Sequence, residues 1–80
     1  MTYFDAAVEV LRRHGRPMTD REITDLAIGS GLIVPAGKTP RQTMSATLYM
    51  RSLDPASPIQ RVAEPGRIRA RRGSVRWALR

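Results

Sequence analysis

The apolar residues of this 80-residue chain change their repeat once, at Pro55 and Pro58. Before the two prolines they recur at i, i+3, i+4 and i+7, as on one face of a helix. After them apolar and polar residues alternate, as in strands with one buried and one wet face. Helices therefore come first and the sheet last. The pattern predicts an α+β domain of three helices followed by a small antiparallel β-hairpin. The length allows one domain, residues 1–80, with a thin core, because so short a chain buries only about 60% of its unfolded surface.

Each predicted helix has its own start and stop signals. The first spans about 2–14. Thr2 stands as N-cap with Asp5 three residues on, Phe4, Ala7, Val8 and Leu11 form the apolar stripe, and Gly15 and Pro17 end it. The second spans about 20–30. It opens on the capping box Thr19-Asp20-Arg21-Glu22, with Met18 before the cap set to pack on Ile23, and its stripe is Ile23, Leu26 and Ala27. Residues 31–37 are apolar but broken by Gly and Pro, a connecting loop with a few residues dipping into the core. The third helix spans about 40–53, with Thr39 as N-cap and Pro40 at the first helical position, where its missing N–H costs nothing. Strands are expected at about 59–63, 67–71 and 74–79, the last with Val75, Trp77 and Leu79 on its buried face. Trp77 is expected in the core and His14 on the surface. This order, three helices and then a hairpin that would form the wing, is that of a winged helix-turn-helix.

The charge is as uneven as the secondary structure. Residues 1–37 carry four basic and five acidic side chains, whereas residues 38–80 carry ten basic and two acidic ones, for a net +7 over the chain. Thirteen of the fourteen basic residues are Arg, which forks onto phosphates and guanine edges. An Arg-rich composition also arises from a GC-rich coding sequence. The one-sided placement points further, to a polyanionic partner, double-stranded DNA.

Two groups of residues fit that partner. On a helical wheel of the third helix, Arg41, Gln42, Ser45, Tyr49 and Ser52 share one arc, opposite Met44, Ala46, Thr47, Leu48, Met50 and Leu53. Arg51 points toward the apolar side. Arg41 suits guanine O6 and N7, and Gln42 suits adenine N6 and N7. Ser45 permits close approach, Tyr49 can reach a phosphate or stack, and Lys38 and the Thr39 hydroxyl flank a helix N-terminus suited to phosphate. The alternative for this arc is an ordinary solvated helix face. The second group is Arg67, Arg69, Arg71 and Arg72, four arginines within six residues. They suit a wing that grips the phosphate backbone or enters the minor groove. Their alternative is an edge strand guarded by charge, which needs fewer cations than this.

Other classes find little support. The chain has no cysteine and one histidine, so thiolate metal sites and His clusters are excluded, and neither a metal nor a cofactor is expected. Asp20, Glu22 and Asp25 form the one acidic cluster, where they complement a helix dipole. Lys38 is the only lysine, so no carboxylate–lysine nuclease pattern is visible and an enzyme is not expected. No apolar run approaches the ~20 residues of a membrane span, and no signal peptide is visible. The expected location is the cytoplasm, on the nucleoid if the source is bacterial.

The run Thr2-Tyr3-Phe4-Asp5-Ala6-Ala7 resembles the HARE-HTH domain. So do Pro17-Met18-Thr19 with Glu22 and Ile23, and Lys38-Thr39-Pro40 with Thr43, Ala46, Leu48 and Tyr49. This winged-helix family occurs in Asx-like chromatin proteins, in restriction endonucleases and in the delta subunit of bacterial RNA polymerase. The resemblance implies a winged-helix fold, binding of double-stranded DNA and, for some members, sensing of modified (methylated) bases. The segment from Glu64 to Gly73 departs from the family as a larger, more basic wing. The resemblance leaves an alternative: a protein-protein interaction module of a transcription or restriction complex, with Leu32, Ile33 and Val34 as its exposed apolar patch. The sequence shows no attached effector domain, so an effector would come from a partner protein.

Overall fold

Thr2 begins the first helix as its spacing predicts: its Oγ1 accepts the Asp5 N–H at 3.1 Å. In the computed structural model, which describes residues 1–35, 37–62 and 75–80, α1 covers Tyr3–His14. It closes at Gly15, whose φ of 64° suits a residue without a Cβ and whose N–H donates to Leu11 O at 2.9 Å. Two apolar stripes fit this helix. The buried one is centred on Ala6, Ala7, Val10 and Leu11, with Phe4 and Val8 at its half-buried edge. His14 is exposed.

The second helix, α2, covers Asp20–Gly29 and carries both halves of its capping box. Thr19 Oγ1 accepts the Glu22 N–H, and the Glu22 carboxylate accepts the Thr19 N–H at 3.1 Å. Ile23, Thr24 and Ala27 face the core, and Leu26 packs at its margin. The buried Thr24 hydroxyl donates to Asp20 O at 2.6 Å, so it carries no unmet hydrogen bond. The chain then folds back on the helix end, where the N–H groups of Leu32 and Ile33 both reach Ala27 O. Ile33 enters the core and Leu32 packs against it, while Val34 is 84% exposed. The apolar patch expected at Leu32, Ile33 and Val34 is therefore not formed. Two of its three residues are drawn inward by the backbone bonds to Ala27.

The third helix, α3, covers Pro40–Ser52, one residue short of the expected end at Leu53. Pro40 holds the first helical position, but Thr39 makes no side-chain cap bond. Thr2 and Thr19 cap from ψ near 160°, whereas Thr39 sits at φ −134°, ψ 61°, a backbone that does not direct its hydroxyl to the helix N–H groups. Only Met44 and Leu48 of α3 are buried. Ala46, Met50 and Leu53, expected on the apolar side, are exposed.

Three short strands close the structure: β1 (Met18–Thr19), β2 (Ile59–Val62) and β3 (Arg76–Leu79). Their order is β1-β3-β2, all antiparallel. The central β3 places Trp77 opposite both Met18 and Arg61, with its side chain 1% exposed. The strand β1 has no counterpart in the sequence reading. Two residues show no alternation, and pairing with β3 alone defines them. Val75, expected in the last strand, packs on the core just before it. The strand expected at 67–71 lies outside the described residues, as do Ala63 and Ser74. Three helices and a three-stranded antiparallel sheet make an α+β fold of the winged helix-turn-helix type.

Candidate nucleic-acid interface

The side of α3 that meets α2 borders an open groove. It is lined by Arg41, Gln42, Ser45, Ala46 and Tyr49 of α3 and by Asp20 and Arg21 of α2. Four residues predicted from the polar arc thus lie along one depression. Arg41 and Gln42 are exposed and Ser45 is half-buried. Lys38 and Thr39 are exposed just before the helix begins. Arg67, Arg69, Arg71 and Arg72 lie outside the described residues.

Tyr49 is more constrained than a surface tyrosine. Its ring meets Trp77 edge to face, with centroids 4.9 Å apart and planes at 86°. It keeps 38% exposure. A T-shaped pair of this kind adds about 0.5–1.5 kcal/mol to burial. Tyr49 is therefore fixed from behind by the central strand and still faces solvent.

Three groups at this surface escaped the sequence reading. Arg61 of β2 holds its guanidinium 5.9 Å from the Tyr49 ring centroid, which adds a cation beside α3. Its signal was present, since Arg61 is the one cation on β2. Asp25 of α2 takes Arg41 at 3.7 Å and Arg21 at 4.0 Å. The i, i+4 spacing of Arg21 and Asp25 is readable in the sequence, but the reach from α2 to Arg41 needs the fold. Ala46, assigned to the opposite arc, lines the groove.

The remaining cations divide by partner. The Glu9 carboxylate accepts from both Arg12 and Arg13, and those bonds, Arg12 first, lower its pKa to about 2. Arg16 and Arg76 approach Glu22 at 3.4 and 3.7 Å. Arg51, aimed at the apolar arc, lays its guanidinium 4.8 Å from the Phe4 ring centroid. Lys38 and Arg61 pair with no carboxylate among the described residues. Positive charge left unbalanced by acids therefore sits at the entry and along one flank of α3.

A three-helix domain with a short sheet and a cationic third helix is matched over residues 1–71 by a family model, HARE-HTH, described as the HTH domain of ASXL and restriction endonuclease proteins. The chain belongs to the HARE-HTH family. The match takes in all three helices and β1 and β2, and reaches into the arginine-rich segment. No curated protein and no solved structure matches the chain. As a HARE-HTH domain it is a helix-turn-helix module of a DNA-binding class. Among the described residues no helix is long and apolar enough to cross a membrane.

Proposed function

We propose that this HARE-HTH domain binds double-stranded DNA with α3 in the major groove. One observation carries the proposal. The third helix gives only Met44 and Leu48 to the core, and it presents Arg41, Gln42 and Tyr49 to solvent beside the cations Lys38 and Arg61. Arg41 and Gln42 have the donors and acceptors for guanine and adenine edges. Lys38 and Thr39 stand where a phosphate meets the helix N-terminus. Arg67, Arg69, Arg71 and Arg72 form the wing and hold the backbone or the minor groove. Binding, not catalysis, is the function, and the domain resides with DNA, on the nucleoid in a bacterial cell.

Two variants separate gripping from reading. Arg69→Ala with Arg71→Ala weakens binding to all duplexes alike, whereas Arg41→Ala or Gln42→Ala shifts sequence preference. Equal effects on every sequence from both variants would refute the division of labour. A preference for methylated or otherwise modified bases is a further part of the proposal, supported by family membership alone. Matched modified and unmodified duplexes test it, and equal affinities would end it.

A further inference from the structure

The outward side of α3 is not the polar arc that the wheel singles out. Met44 and Leu48, both fully buried, fix the inward direction. At ~100° per residue, Ala46 lies roughly opposite their midpoint. Gln42, Thr43 and Met50 flank Ala46, and all four are exposed. None is charged. The two arginines of α3 stand to the sides, Arg41 drawn toward Asp25 at 3.7 Å and Arg51 lying over Phe4.

The strip is rich in methyl groups. The Thr43 hydroxyl turns back to donate to Thr39 O, which leaves its methyl group to face outward. Ala46 offers only a methyl, and Met50 is 70% exposed. An apolar strip turned to water, with Lys38, Arg41 and Arg61 around it, fits a polyanion that carries apolar groups of its own. The major groove of an A·T pair is such a surface. It presents adenine N6 and N7 to an amide side chain, and it presents the thymine C5-methyl to apolar groups. A G·C pair offers the strip polar edges and no methyl. From Thr43 to Met50 the strip is about 10 Å long at 1.5 Å per residue, or roughly three base-pair steps of 3.4 Å.

We propose that this strip reads A·T base pairs, with Gln42 on adenine and the methyl groups of Thr43, Ala46 and Met50 against thymine C5-methyls. The proposal rests on the duplex-DNA function above, and it adds a base preference and three residues to it. Selection from a random duplex pool by the whole chain tests it, followed by resynthesis of the selected duplexes with deoxyuridine for thymidine. The expected selection is enriched in A·T at adjacent positions. Each methyl lost at those positions weakens binding by about fourfold, the equivalent of one buried carbon at ~0.8 kcal/mol. Thr43→Ser keeps the hydroxyl and removes the methyl, so it binds thymidine and deoxyuridine duplexes more nearly alike. Circular dichroism confirms that this exposed variant folds. Selection of G·C-rich sites, or equal affinity for thymidine and deoxyuridine duplexes, would overturn the A·T assignment and leave DNA binding standing. So would a gain from 5-methylcytosine in duplexes whose thymines make no difference. Failure to retain any duplex, even at low salt, would overturn both.

Discussion

Glu22 does more for this structure than its place in a capping box foretells. Its carboxylate accepts the Thr19 N–H and also meets Arg16 and Arg76, joining α2, the preceding turn and β3. The Thr19 N–H first, and Arg16 after it, lower its pKa from 4.5 against the opposing pull of burial. A carboxylate favoured by folding contributes stability above its unfolded pKa and loses it as pH falls through the folded value. Glu22→Gln should therefore cost about 1 kcal/mol at neutral pH. It should also flatten the fall in Tm below about pH 4.5. Thermal melts of both proteins across that range check this, and parallel acid profiles would contradict it. Asp25 is the other residue of note. The sequence marks it as a helix-dipole acid, and only the packing of α3 on α2 brings it to Arg41.

The three helix entries make a graded test. Thr2 and Thr19 each bond a backbone N–H, so either Thr→Ala substitution should cost about 1 kcal/mol. Thr39 makes no such bond, and Thr39→Ala should change stability by only a few tenths of a kcal/mol. Urea titrations of the three variants measure the contrast. A loss at Thr39 equal to that at Thr19 would show that Thr39 caps α3 after all. The same entries show what the sequence can reveal. The capping boxes, Gly15, Pro40 and the alternation through Trp77 are local signals, and the helices and last strand follow from them. What stayed hidden depends on distant partners. Met18 and Thr19 become a strand only against β3. Ile33 is core because its loop folds onto Ala27. Met50 and Leu53 look like core residues on a wheel, yet nothing among the described residues covers them. The readable part of the site was the set of residue types on α3; its outward direction required knowing which two side chains the core takes.

Across the whole molecule, one residue ties the layers together. Trp77 sits on the central strand, opposite Met18 and Arg61, and braces Tyr49 of α3. Trp77→Ala should cost about 3–5 kcal/mol, a large share of the ~5–15 kcal/mol that holds a small domain together. Denaturant unfolding tests this, and a loss below ~1 kcal/mol would show that the tryptophan is not the common brace. Charge is distributed at the same scale. α1 and α2 largely balance their own cations with Glu9, Glu22 and Asp25, while the half from residue 38 onward holds ten basic and two acidic residues. A surface of that kind binds duplex DNA by displacing counterions. Titration of a labelled duplex by fluorescence anisotropy across a salt series tests this central claim most directly. With ~4–6 phosphates engaged, log K should fall against log salt with a slope of roughly −4 to −5. Affinity that stays constant from low to high salt would contradict it.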